Sequence, residues 1–119
     1  FMGGNTMDGI IHAYRYLTGK AQMLPKWAYG YIQSKEQYYT SKELEEIVRH
    51  YREIGVPLDC VVQDWNTWDP GNWGEKILDQ SRYGDNKECM ERIHEMHAHS
   101  MVSVWPNMNA GGKNHQEFF

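Results

Sequence analysis

Asp64 closes the short apolar run Cys60-Val-Val-Gln63 and is followed by Trp65-Asn-Thr-Trp68. A carboxylate at the end of an apolar, β-branched run is costly unless it is solvated, paired or used. As a ligand group, Asp64 can accept hydrogen bonds from two sugar hydroxyls. As a loop cap, it can bond the amides of its own turn. Both readings stand on the residues alone. Trp105 ends a second apolar run, Met101-Val-Ser-Val-Trp105, so it is the topological counterpart of Asp64. It is read either as a wall of the same cavity or as interior packing.

Other chemistry-bearing groups carry less. His94, His97 and His99 form His-x-x-His-x-His, which matches no closed zinc site and has no cysteine pair beside it, so no metal is assigned. Glu36, Asp69, Glu75 and Asp79 lie in polar stretches whose spacing selects no acid–base pair, and solvated loop charge is the simpler reading. Phosphate-cradling, dinucleotide and nucleophile-elbow glycine patterns are not found, and no cofactor is assigned. Cys60 and Cys89 sit in apolar and helical patterns and read as free, buried thiols.

These residues need elements to hold them. Helical spacing over Ile10, Ile11, Tyr14 and Leu17 gives a helix from Thr6 that Gly19 ends. Pro25 blocks its continuation, and Trp27–Gln33 reads as an aromatic strand with Gly30 marking a bend or close approach. Thr40 and Glu43 form a capping box for the next helix, which places Leu44, Ile47, Val48, Tyr51 and Ile54 on one face. Glu45, Glu46, Arg49 and Arg52 fall on the other face, with Glu45 and Arg49 one turn apart. Gly55 and Pro57 stop it. Leu58–Gln63 is nearly continuously apolar, as in a parallel strand buried on both faces. A Trp-, Gly- and Asn-rich loop of about twenty residues, Trp65–Gly84, follows. Asp85 and Glu88 suggest a second capping box, with Met90, Ile93 and His97 on the apolar side of its helix. Residues 101–105 give the third strand, and Asn114–Phe119 begins another helix.

The order is helix, then alternating strands and helices, with strands recurring at roughly thirty to forty residues, the period of parallel βα units. The fold class is α/β. A closed barrel needs about eight strands, so the segment is expected to be part of a larger domain. Composition agrees with a folded chain: 40% hydrophobic and 24% charged over 119 residues. The net charge of −4, without a basic run, argues against nucleic acid. No apolar stretch approaches the roughly 20 residues of a membrane span, and no leader pattern is visible behind Phe1. Five tryptophans and eight tyrosines, several in polar loops, suit sugars or other planar ligands, as well as ordinary packing.

Taken together, Tyr14-Arg-Tyr-Leu-Thr-Gly19, Met23-Leu-Pro-Lys-Trp-Ala-Tyr-Gly-Tyr-Ile-Gln-Ser34, Gly55-Val-Pro-Leu-Asp59, Gln63-Asp-Trp65 and Val104-Trp-Pro106 resemble glycoside hydrolase family 31. That is the family of α-glucosidases and α-xylosidases, and the first strand and tryptophan loop look most like its α-xylosidases. The resemblance implies a (β/α)8 barrel, with residues 1–26 as lead-in helix and connector and 27–119 as its first three βα units. It implies a retaining α-glycosidase acting on α-glucosides or α-xylosides. In the subsite for the cleaved sugar, Asp64 matches the family's hydroxyl-binding aspartate and Trp105 its lining tryptophan, with Trp65 and Tyr38 nearby. The resemblance places the two catalytic aspartates on the fourth and sixth strands, so this segment holds neither. Alone it is expected to be inactive, and its open sheet edges to associate with copies of itself or with the rest of the barrel. A non-catalytic carbohydrate-binding or interaction module is the alternative. Compartment is left open.

Overall fold

The computed structural model describes residues 3–118; Phe1, Met2 and Phe119, at the ends of the first and last stretches read above, lie outside the described residues. The elements run α1 (Met7–Thr18), β1 (Ile32–Gln33), α2 (Ser41–Glu53), β2 (Cys60–Gln63), α3 (Gln80–Tyr83), α4 (Asn86–Glu95), β3 (His99–Val102) and α5 (His115–Phe118), with a 3₁₀ turn at Lys26–Tyr29. The strands form one parallel sheet in the order β1-β2-β3. The register sets Ile32 beside Cys60 and Cys60 beside His99.

The helix at Ser41–Glu53 forms as its spacing dictates. The Thr40 hydroxyl accepts the Glu43 amide at 3.2 Å. The Glu43 carboxylate reaches one residue further back than a capping box requires and accepts the Tyr39 amide at 2.7 Å. At the far end Gly55 adopts φ +70°, and the amides of Gly55 and Val56 close back on Arg52 and Tyr51. That is the paired closure of a Schellman cap, which a residue with a Cβ would strain. Leu44 and Val48 are fully buried against Val61, Cys89 and Ile93. Burying each such aliphatic side chain contributes about 1.5–3 kcal/mol. Ile54, placed on this face by periodicity, is instead 55% exposed because it caps the helix.

The polar face of α2 is not simply solvated. Glu45 accepts Arg92 of α4 at 2.6 Å and Arg49 at 2.5 Å, and Arg92 is the first cause of its carboxyl lying below the ordinary range. Arg52 turns inward and donates to the carbonyls of Leu58 and Met96, each at 2.8 Å, and of His97 at 3.1 Å.

Several expected bounds shift. The aromatic run Trp27–Gln33 is a 3₁₀ turn followed by only two strand residues, because Pro25 caps the turn and the Asp59 carboxylate takes the Tyr31 amide at 3.1 Å. Gly30 makes the close approach its position suggested: a Cβ there would stand 2.0 Å from Asp59 Oδ2. Asp85 caps α4 without a side-chain hydrogen bond, its carboxylate lying 3.6 Å from Arg92. His97 is not on the face of α4. It takes φ +56° as the left-handed residue after the helix and is exposed. That early stop lets β3 begin at His99, so Trp105 lies three residues beyond Val102, the last strand residue. The long loop contains the short helix α3.

The molecule is open on its outer sides. Its radius of gyration is 19.0 Å, against about 13–14 Å for a compact domain of this length. α1 forms with its Thr6 cap but buries no residue, and Met101 and Val102 on the β3 edge are 41% and 47% exposed. Among the described residues no helix is long and apolar enough to cross a membrane.

Candidate functional site

Side chains alternate across a strand. Val61 packs into the layer of α2 and α4, so Cys60 and Val62 face the opposite side, and the alternation carries Asp64 there too. Asp64 Oδ1 accepts the Trp65 amide at 2.8 Å, and Oδ2 accepts the Ser34 hydroxyl, from the loop after β1, at 3.1 Å. Both readings of Asp64 thus meet in one geometry. It caps its own turn, and with two hydrogen bonds on a carboxylate that has roughly four acceptor positions, about two remain open.

Beside it stands a cluster of four tryptophans. Trp65, Trp68, Trp73 and Trp105 pack ring against ring, with all six centroid separations between 5.2 and 6.5 Å. Tilted and edge-on pairs of this kind are favourable. Trp68 forms the floor at 5% exposure, whereas Trp73 is 40% exposed. Asn66, between Trp65 and the rest, holds φ +60°, a left-handed conformation that asparagine tolerates better than most residues.

The loop is braced rather than loose. Lys76 Nζ donates to the carbonyls of Gly74 at 2.7 Å, Asn107 at 3.3 Å and Trp105. The Glu75 carboxylate accepts the amides of Lys113 at 2.5 Å and of Lys76 and Asn114 at 3.2 Å. Lys113 Nζ meets Asp69 at 2.9 Å. Asp79 accepts the Ser81 amide and hydroxyl and Arg82 Nε, and these bonds, that of the Ser81 side chain first, hold its carboxyl down to about 2. Glu75 and Asp79 are therefore buried structural groups, at 5% and 6% exposure, and not the solvated loop charges their setting suggested. Glu36 is exposed, as expected.

Of the four residues singled out for a sugar site, the structure brings Asp64, Trp65 and Trp105 to one end of the sheet. Tyr38 does not join them. It is 2% exposed in the core, its carbonyl accepting the Tyr83 hydroxyl at 2.5 Å and its own hydroxyl accepting Gln33 Nε2 at 3.2 Å. Trp68, Trp73, Ser34 and Lys76 were not among the candidates. The density of tryptophan around Gly71 and Gly74 is the available signal for the first two. Local pattern carries none for Lys76, whose partner Trp105 is 29 residues away.

Cys60 and Cys89 are free and buried, and burial pushes the Cys89 thiol up to about 11 and Cys60 up as well. The His94 and His99 rings are 6.5 Å apart, and His99 stacks on Trp27 at 4.3 Å. Among the described residues no group of three or more His, Cys, Asp or Glu is placed to hold a metal.

Residues 21–119 match the glycosyl hydrolases family 31 TIM-barrel domain. The chain is similar to an α-xylosidase of Saccharolobus solfataricus, at 43% identity over 87% of this chain and 14% of that protein. It is similar to α-glucosidase 2 of Bacillus thermoamyloliquefaciens, at 39% identity over 97% of this chain and 14% of that protein. Among solved structures, the α-xylosidase of Xanthomonas citri superposes with a TM-score of 0.84 at 39% identity, covering 95% of this chain and 12% of that one. A soil-metagenome α-xylosidase complexed with xylose gives 0.83 at 32% identity, covering 97% and 17%. The chain thus spans a small part of the length of the relatives it matches.

Proposed function

Because the chain belongs to the glycosyl hydrolase family 31 TIM-barrel domain, we propose that it is the opening part of a (β/α)8 barrel, its first three βα units, in a retaining α-glycosidase acting on α-glucosides or α-xylosides. The observation that carries this is Asp64, at the carboxyl end of the middle strand of a parallel sheet and followed by Trp65, whose ring packs 6.0 Å from that of Trp105. Sites on such sheets gather where strands end and loops begin. Asp64 supports the cleaved sugar through two hydroxyls, using the acceptor positions left open by Ser34 and Trp65. Trp65 and Trp105 supply apolar ring surface for the sugar and exclude water from one side of it.

The chemistry of retention needs two carboxylates about 5–5.5 Å apart, one attacking the anomeric carbon and one protonating the leaving oxygen and later activating water. We assign neither role to a residue of this chain. The fourth and sixth strands of the complete barrel supply them. The same remainder covers the β3 edge at Met101 and Val102.

Turnover of nitrophenyl α-glucoside and α-xyloside by the full-length protein tests the reading, with Asp64→Ala and Asp64→Asn alongside. Two hydrogen bonds to a charged acceptor, at about 1.5–3 kcal/mol each, correspond to a fall of roughly 10²–10⁴ in kcat/KM. Unchanged turnover in Asp64→Ala would remove Asp64 from the site. Sugar binding without turnover in the wild type would make the segment a carbohydrate-binding module instead.

A further inference from the structure

Asp64 is held on both oxygens, and by two different elements. The Trp65 amide, next in the chain, holds Oδ1, and the Ser34 hydroxyl, on the loop after β1, holds Oδ2. The terminal torsion of an aspartate is soft and roughly two-fold. One local bond therefore leaves the carboxylate plane free to turn, and a second bond to the other oxygen fixes it. Ser34 sets which way the open acceptor positions of Asp64 face.

Ser34 is itself anchored. Its carbonyl accepts Gln33 Nε2 at 3.2 Å. That amide has no freedom left. Nε2 also donates to the Tyr38 hydroxyl at 3.2 Å, and Oε1 accepts the hydroxyls of Tyr31 at 2.6 Å and Tyr51 at 2.8 Å. Two donors and two acceptor lone pairs are all that an amide side chain has. On the other side of Ser34, Lys35 Nζ meets Glu43 at 2.5 Å and lies 4.6 Å from the centre of the Tyr38 ring. The loop thus ties Ser34 to β1, to α2 and to the buried Tyr38 before it reaches Asp64. The bond from Ser34 to Asp64 is exposed, and an exposed hydrogen bond adds little to folding. Its consequence lies in direction.

We propose that Ser34 is a positioning residue that acts on the sugar only through Asp64, by fixing the carboxylate so that it meets two hydroxyls of one ring at once. Two simultaneous bonds demand a carboxylate set within about 10–20° of the productive geometry. A group that is already set loses less on binding. The proposal rests on the sugar-binding reading of Asp64 and extends it to the loop after β1.

The test is a cycle of four full-length proteins: wild type, Ser34→Ala, Asp64→Ala and the double variant. Ser34→Ala is expected to lower kcat/KM for nitrophenyl α-glucoside or α-xyloside about tenfold, the low end for a bond to a charged acceptor, because this one is exposed. In the Asp64→Ala background the same change should cost less than about twofold, since the group it orients is gone. Ser34→Thr, which keeps the hydroxyl, should stay within about twofold of the wild type. Full activity in Ser34→Ala, an equal loss in both backgrounds, or Ser34→Thr as slow as Ser34→Ala would each overturn the positioning role and leave Asp64 in the site. Unchanged turnover in Asp64→Ala removes the parent reading, and the role of Ser34 with it. If the wild type turns over neither glycoside, the glycosidase reading fails on that result, and calorimetric affinity for glucose and xylose in the same cycle decides Ser34 separately. Affinity about tenfold weaker in Ser34→Ala, with no further loss in the Asp64→Ala background, supports the role, and unaltered affinity overturns it.

Discussion

Lys76→Met isolates the brace that holds Trp105. Methionine keeps an unbranched apolar stem but cannot donate. The change removes the 2.7 Å bond to Gly74 and the close bond to Trp105, together with the weaker 3.3 Å bond to Asn107. Hydrogen bonds from a charged donor contribute about 1.5–3 kcal/mol each. The site is only half-buried, so the local loss is about 2–4 kcal/mol in total. That lies below the 5–15 kcal/mol of a typical fold. The core of Leu44, Val48, Val61, Cys89 and Ile93 does not include this loop, so the change should open one region and leave the rest closed. Amide exchange reads this directly. The Asn109 amide, bonded to the Trp73 carbonyl at 2.9 Å, should exchange roughly thirtyfold to several hundredfold faster, while amides of α2 keep their protection. The near-ultraviolet dichroism of the packed indoles should weaken in parallel. Unchanged protection at Asn109 would refute the bracing role. Equal loss of protection in α2 would refute the independence of the loop.

Three further outcomes follow from described geometry. Gly74→Ala should dislodge the same loop and weaken the indole dichroism, since φ is +74° and a Cβ would stand 2.0 Å from the Asn107 carbonyl. Leu44→Ala should cost about 2–5 kcal/mol in denaturant unfolding, because the side chain is fully buried; a loss below about 1 kcal/mol would contradict the packing. Asp79, held down to about 2 in the fold, has an ordinary value near 3.9. Its stabilising effect is thus present above about pH 4 and is lost as pH falls toward 2. Tryptophan fluorescence should follow that window in the wild type and flatten in Asp79→Asn.

The elements that sequence made visible are those fixed by neighbours one helical turn away. α2 is the clearest, with its 3.6-residue spacing, Thr40 cap and Gly55 stop all realised. The apolar run of β2 likewise marks a strand, with Cys60, Val61 and Gln63 buried and Val62 half-buried. What local pattern missed depends on distant partners. Trp27–Gln33 has strand-forming residues, but a 3₁₀ turn capped by Pro25 takes its first half, and Asp59, 28 residues from Tyr31, takes the amide that would have extended the ladder. Tyr38 reads as a loop aromatic beside a site, yet Tyr83, 45 residues on, anchors it in the core. Arg52 reads as a solvent-facing helix residue because helical periodicity places charges outward; its carbonyl partners lie across the α4–β3 turn. Asp64 was legible as a position, whereas Ser34, which fixes one of its oxygens, was not.

Arg52 also has a kinetic meaning. Its bonds to Met96 and His97 span 44 and 45 residues, so the chain must close that loop before either bond exists. The entropy of closing that loop is paid before these bonds repay it. Apart from its local bond to Leu58, removing the guanidinium should therefore act mainly on the unfolding rate and less on refolding. On that outcome the arginine is a latch on the finished structure, one that lengthens the lifetime of the joined βα units more than it guides their assembly.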